Sequence, residues 1–319
     1  RLRGEVASRE ADALNHAYRA KLLTVIQDIT VAYYDYAYLR EATRITDEIV
    51  DLLERLEEPV QEKVRGGGDQ APLLRLQVEI GKAQDELQTF QKLKPAQSAG
   101  LNGLLGRRGP GLLPFPPLDA PDAATPDRAR MENELLADNP ELKSLHSRIE
   151  KAAESIKLSR LSPIPDPTIG AGFFGTGEAV NPSTPGSGDN PWSVGVSFTI
   201  PLWFGKYKAE NREAAQRYAE ATKTLTDREN LLLADLEAVL QKLSEVDRRL
   251  DLYGNTLLPR ARQAYEVTES SYQADRSSIL DLIDSERSLL EIERTYWRAA
   301  AHHYQAIIRL KTLTGTRSQ

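Results

Sequence analysis

The 18 prolines of this 319-residue chain are strongly clustered, and their placement limits what it can fold into. Seven lie between Pro95 and Pro126 and seven between Pro163 and Pro201, leaving Pro59, Pro72, Pro140 and Pro259 elsewhere. From Lys206 onward Pro259 is the sole proline, and Gly254 and Gly315 are the only glycines. Proline costs about 3 kcal/mol inside a helix, so the clean stretches are expected to be long helices and the clusters are not. Apolar spacing agrees. Leu225, Leu232, Leu236, Val239, Leu243, Val246, Leu250, Tyr253 and Leu257 step by threes and fours after the first interval, and Leu282, Leu289, Tyr296, His303 and Leu310 recur every seventh residue. Ile283, Leu290, Trp297 and Tyr304 run beside the second set, and Leu22, Val25, Ile29, Ala32, Tyr36 and Leu39 form a similar stripe near the start. Stripes of this kind wrap helices around one another as coiled coils. A helix from about Lys206 to about Ala274 would be roughly 100 Å long, with Pro259 as a possible kink, and one from about Ser278 to Leu313 roughly half that.

The first half repeats this long-then-short layout. A helix from about Arg3 to about Val64 ends at Gly66-Gly67-Gly68, and a shorter one follows from Pro72, a good first-turn residue. The short helices end alike, in Leu101-Asn102-Gly103-Leu104-Leu105-Gly106 and Leu310-Lys311-Thr312-Leu313-Thr314-Gly315. The long ones begin alike, Arg1, Arg3 and Glu5 matching Lys206, Lys208 and Glu210. Two copies of one unit, about 200 residues apart, account for both matches. The expected segments are a first helix pair over 1–106, a Pro-rich extended crossing over 107–127, shorter helices over 128–162 with an interruption at Asn139-Pro140, a β-hairpin over 163–204, and a second helix pair over 205–319.

Only the hairpin changes period. In Trp192-Ser193-Val194-Gly195-Val196-Ser197-Phe198-Thr199-Ile200 every even position is large and apolar and every odd one small or polar, and Thr168 to Phe173 alternates similarly. A soluble hairpin on a sheet alternates too. Strands of about 9–10 residues, however, suit a tilted outer-membrane strand. Trp192 at one end of the second strand, with Trp203 and Phe204 past the other, stands where an interfacial aromatic girdle lies. No apolar run approaches the ~18–20 residues of a transmembrane helix.

In this order the motifs resemble the TolC family of trimeric outer-membrane efflux ducts. The matching residues are Pro165-Asp166-Pro167 before the first strand, Trp192 through Gly205, Tyr272 through Glu286 at a helix–helix tip, Tyr296-Trp297, and Leu310 through Gly315. The resemblance implies a mainly α protein, with long antiparallel coiled-coil helices of α-barrel type and a membrane β-hairpin contributing to a trimeric β-barrel. It also implies an outer-membrane location extending into the periplasm, contact with outer-membrane lipid, and a homotrimer. The homotrimer would work with a periplasmic adaptor protein and an inner-membrane pump as the passive exit duct of a tripartite efflux or type I secretion system, gated at its periplasmic tip. The family has two strand pairs per chain and this sequence shows one. Arg1 aligns just past Trp203-Phe204-Gly205 of the second copy, so the other pair is expected before Arg1 in a longer precursor.

In the family, aspartates after the second tip turn ring the entrance, and a tip tyrosine and arginine hold it shut. The match falls on Asp281 and Asp284 for pore entrance and selectivity and on Tyr272 for gating. Arg276 stands one residue before the arginine position, which Ser277 occupies. A spacing of three puts both aspartates on one helix face, and threefold repetition would set six carboxylates around a pore. Ser278, three residues before Asp281, equally fits a capping box.

Other chemistry finds little support. Forty-one basic against 47 acidic residues, a net charge of −6, make no basic field for nucleic acid. Absence of cysteine removes disulfides, thiolate metal sites and Cys nucleophiles. His16, His146, His302 and His303 lack ligand spacing with acidic partners, and His303 sits on the heptad stripe as a packing residue. Gly66-Gly67-Gly68 lacks the strand and downstream Lys-Ser/Thr of a phosphate loop and is expected to be a turn. Neither an enzyme nor a cofactor or metal is expected. The competing reading is a soluble coiled-coil scaffold or periplasmic adaptor with a small β-hairpin. From the repeat, the tips near Gly66–Gly68 and Gln273–Ser277 are expected at one end and the hairpin, Thr168–Ile200, at the other.

Overall fold

The structure is a computed structural model that describes residues 1–109, 111–122, 126–165, 167–181, 185–198, 200 and 202–316. Asp166 of the Pro165–Pro167 motif, Thr199 of the alternating run, and Pro110, Pro182 and Pro201 of the proline clusters lie outside the described residues. Among the described residues the elements are α1 (Leu2–Arg65), α2 (Ala71–Leu104), α3 (Arg128–Asp138), α4 (Pro140–Leu161), β1 (Pro167–Phe173), β2 (Trp192–Phe198), α5 (Phe204–Asp251), a π-helical turn (Leu252–Leu257), α6 (Leu258–Gln273) and α7 (Ile279–Leu313). They form two compact units, one of residues 1–15 and 143–227 and one of 16–142 and 228–319.

The smaller unit holds the start of α1, most of α4, the hairpin and the first half of α5. Polar side chains tie its helices: Arg9 pairs with Glu150 at 3.0 Å and Lys151 with Glu10, while the Ser144 hydroxyl donates to the Ala13 carbonyl at 2.8 Å. β1 and β2 pair antiparallel from Pro167↔Phe198 to Phe173↔Trp192. Each strand is described over seven residues, and the adjoining Asp166 and Thr199 lie outside the described residues. One more rung forms where the Phe174 N–H donates to the Pro191 carbonyl, and Pro191, having no N–H, cannot extend the ladder.

The larger unit contains the rest of α1 and α5 together with α2, α6 and α7. Its stripes are buried in part: Leu232, Leu236, Val239, Leu243 and Val246 on α5, and Leu282, Ile283, Leu290, His303 and Leu310 on α7 are buried, while Leu250, Leu289, Tyr296, Trp297 and Tyr304 are half-buried. Pro95, which the clustering assigned to a non-helical segment, lies inside α2, as Pro59 does inside α1. The long helix expected over 206–274 is interrupted. Pro259 cannot donate to the carbonyl four residues back, and the helix absorbs that loss one turn earlier as a π-helical segment in which the Leu258 N–H reaches the Tyr253 carbonyl. Gly254 in this turn lies against the Tyr296 ring, where a Cβ would come within 2.8 Å of Cε2. Gly254→Ala is therefore expected to destabilise the chain by about 1–3 kcal/mol. Gly81→Ala, on an exposed face of α2 with nothing within 4 Å of its Cβ position, should stabilise it by about 0.5–1 kcal/mol. Urea unfolding of the two variants measures both.

The repeat extends to individual hydrogen bonds. α2 ends with Gly106 N–H to Gly103 O and Arg107 N–H to Asn102 O; α7 ends with Gly315 N–H to Thr312 O and Thr316 N–H to Lys311 O. Gly106 and Gly315 occupy the left-handed region that this cap requires, at φ 68° and 74°. In the segment expected to cross, 111–122 has neither helix nor strand and is pinned to α1 and α2. Tyr36 Oη donates to the Leu113 carbonyl at 2.6 Å, Asn102 Nδ2 to the Gly111 carbonyl at 2.6 Å, and the Leu113 N–H to Ser98 Oγ at 2.8 Å.

Candidate functional site

The two expected tips meet. After α1, Gly67 N–H bonds Val64 O and Gly68 N–H bonds Lys63 O; after α6, Asp275 N–H bonds Tyr272 O and Arg276 N–H bonds Ser271 O, each partner 208 residues from its counterpart. Gly67 supplies the positive φ in the first turn and Asp275, at φ 55°, in the second. An L-residue there is strained, and the Asp275 carboxylate is held by Lys63, whose Nζ lies 2.6 Å from Oδ1. Their hydrogen bond holds the Asp275 carboxyl below its ordinary range and the Lys63 ammonium above its own. Lys63 also sits 5.1 Å from the Tyr272 ring centroid. Beneath this clasp, Val50, Leu53, Val60, Leu76, Ile80, Leu282 and Ile283 form one core cluster, with Tyr265 and Tyr272 packed on it.

The expected site residues separate. Tyr272 is at the clasp. Arg276 is exposed, with no side-chain ion pair among the described residues. The basic residue that joins the tips is Lys63, which sequence inspection missed although the repeat makes the two turns equivalent. Asp281 closes a capping box: its N–H donates to Ser278 Oγ at 3.2 Å and its Oδ2 accepts from the Ser278 N–H at 3.0 Å. Bonds from the Ser278 hydroxyl and backbone hold the Asp281 carboxyl below its ordinary range, so it is ionised at neutral pH. Asp284 is exposed one turn on, beside Arg75 and Arg287.

Glu286, a further residue missed by sequence inspection, is only 5% exposed. The spacing of Ile279, Leu282, Ile283, Glu286 and Leu290 puts it on the buried face of α7, and that spacing was visible in the sequence. Burial pushes its carboxyl up to about 8, with Arg55 opposing and Glu269 adding. His303 packs as expected, but its Nδ1 also lies 2.7 Å from Asp247 Oδ1 on α5. Among the described residues no group of three His, Asp or Glu could hold a metal ion.

On the hairpin, Ile169, Phe173, Trp192, Val194, Val196 and Phe198 are 57–76% exposed, and Trp203 and Phe204 are also exposed. Burying such side chains is worth about 1.5–3 kcal/mol each, so an apolar face left this open requires an apolar environment or partner. No helix among the described residues is long and apolar enough to cross a membrane.

Residues 132–316 match the sequence model of the family described as outer membrane efflux protein. The pyoverdine export outer membrane protein OpmQ of Pseudomonas aeruginosa is 23% identical over 275 residues, covering 84% of this chain and 56% of the relative. OpmQ of Pseudomonas putida is 23% identical over 326 aligned positions, covering 97% and 65%. The chain therefore spans less than two thirds of the length of either relative. The fold is similar to the open-state crystal structure of the Neisseria gonorrhoeae MtrE outer membrane channel, with a TM-score of 0.83, 20% identity, and coverage of 99% of this chain and 71% of that one. The family match covers more than half of the chain, which thus belongs to the outer membrane efflux protein family, proteins of the outer membrane that extend into the periplasm.

Proposed function

We propose that the protein is a passive exit duct. It assembles as a homotrimer whose hairpins enter the outer membrane and whose helix pairs wall a periplasmic conduit, supplied by an inner-membrane pump through a periplasmic adaptor. The observation that carries this reading is the hairpin: nearly its whole surface is exposed and one face is continuously apolar. A soluble scaffold would leave that face in water, whereas a barrel strand presents it to lipid, with Trp192, Trp203 and Phe204 at the girdle. Cargo is chosen by the pump, so the duct needs only pore-lining charge and a gated mouth. Export of pyoverdine is what the OpmQ relatives are named for, and in this reading pyoverdine is a cargo with which to test the duct.

In this reading the clasped tips are the gate. Tyr272 and Lys63 hold the α1 and α6 turns together, Arg276 is free to reach a neighbouring protomer, and Asp281 and Asp284 face the entrance. Asp281 does two jobs, because capping fixes its position and leaves it charged. The test separates them in planar bilayers. Asp281→Asn with Asp284→Asn keeps an acceptor at the cap and removes up to six charges from the mouth, and is expected to lower the potassium-over-chloride permeability ratio about twofold or more. Ser278→Ala removes the cap and is expected to cost about 1 kcal/mol of stability at unchanged selectivity. An unchanged permeability ratio in the double variant would remove the entrance role.

A further inference from the structure

Glu286 borders a partly open pocket of about 330 Å³ lined by α1, α2 and α7. Its walls are mainly apolar, from Ile45, Ile49 and Leu53 on α1, Ala83 on α2, and Ile283 and Leu290 on α7. The charges around it are largely spent on one another. On α2, Glu79 pairs with Lys82 at 3.1 Å and with Arg287, and Glu86 pairs with Arg294. These two α2–α7 bridges join residues 208 apart, the offset that relates the tip turns, so the helices run side by side in register and the pocket lies between equivalent segments of the two repeats. Glu291 on α7 is exposed at the pocket's edge. On α1, Arg55 is exposed and makes no ion pair with Glu286 among the described residues; on α6, Glu269 and Tyr265 act on it electrostatically. Glu286 is therefore a buried carboxyl with no hydrogen-bond donor among the described residues, set in the wall of a cavity large enough for a small ligand.

We propose that this pocket binds a small organic cation, an amine or quaternary ammonium with an apolar body, with Glu286 as its counter-charge. An anion would meet an uncompensated carboxylate, and a neutral apolar molecule would leave Glu286 without a partner. Of the other carboxylates lining the pocket, Glu79 and Glu86 are already paired with cations, and a hydrated inorganic ion would leave the aliphatic walls uncovered, whereas an organic cation matches walls and charge together. The carboxyl is protonated near neutral pH because burial raises it to about 8, so binding releases one proton to solvent and tightens as pH rises.

Benzyltrimethylammonium is a suitable probe, because its charge does not change with pH. Titration calorimetry of the 319-residue chain in non-ionic detergent is expected to show saturable one-site binding at pH 9 and binding weaker by roughly tenfold or more at pH 6. Glu286→Gln should abolish it at both values. Ala83→Leu, which fills the pocket and keeps the carboxyl, should abolish it as well, and circular dichroism reports whether each variant has folded. The proposal is overturned by an absence of saturable binding at pH 9, by binding of equal strength at both pH values, or by binding that survives in either folded variant. The measurement needs neither a bilayer nor an assembled trimer, so its outcome is independent of the channel reading.

Discussion

Raising the pH from 6 to 9 is expected to destabilise this chain by about 2–3 kcal/mol, and Glu286→Gln to remove most of that loss. The cause is one carboxyl held in the apolar cluster under the tips, pushed from 4.5 to about 8 chiefly by burial. The direction is opposite to that of an ion-paired carboxylate. In the unfolded chain Glu286 releases its proton near 4.5, while in the folded chain it keeps it until about 8. The unfolded state thus binds fewer protons throughout that window, and stability falls as pH rises through it. Below about 4.5 both states are protonated and Glu286 contributes no slope; above about 8 both are ionised and the loss is complete. Urea unfolding at several pH values reads this directly, and Glu286→Gln should give a flatter profile and a more stable protein at pH 9. A wild-type profile that rises between pH 6 and 9, or one that Glu286→Gln leaves unchanged, would show that other groups control the transition.

Asn139→Ala is expected to cost about 2–4 kcal/mol, a large effect for one small polar side chain. Asn139 is buried and lies between α3 and α4. Its Oδ1 accepts from the Glu141 and Leu142 N–H groups at 2.8 and 3.2 Å, capping α4, while its Nδ2 donates to the Leu313 carbonyl at 2.9 Å, satisfying an end group of α7. Alanine removes all three bonds, including the buried one to the Leu313 carbonyl. Asn139→Ser keeps an acceptor for the cap but is too short to reach Leu313, so it should lose about half as much. Gly315 adds to this junction: at φ 74° it passes Asp138 so closely that a Cβ would lie 2.6 Å from the carbonyl oxygen. A urea midpoint for Asn139→Ala within error of wild type would mean that water replaces these bonds at little cost.

Much of the architecture was legible in the chain because it rests on local physics. Proline and glycine set where helices stop, and heptad spacing set which face is buried; α1, α2, α4 and α7 consequently begin and end within a few residues of the expected positions. The repeated endings were read as letters, and they reappear as matched hydrogen bonds around Gly106 and Gly315. Pro259 was visible as a possible kink, but not the form it took. Gly254, inside the π-helical turn at Leu252–Leu257, lies against the Tyr296 ring, a contact between positions far apart in sequence.

At the tip, sequence could identify a turn followed by Ser278-x-x-Asp281, a pattern that serves as well for capping as for an entrance ring. Geometry shows the capping bonds, while the charge left on Asp281 keeps the entrance role open to experiment. Residue type and spacing determined that this chain makes long paired helices, two equivalent tips and one alternating hairpin, because each follows from the conformational preferences of neighbouring residues. Only tertiary structure decided that Lys63 rather than Arg276 bridges the tips, that Glu286 lines a pocket without a donor, and that Asn139 serves two helix ends. Each depends on which side chains are brought together across 170 residues or more, or on how much water that packing excludes, and neither is written in local spacing.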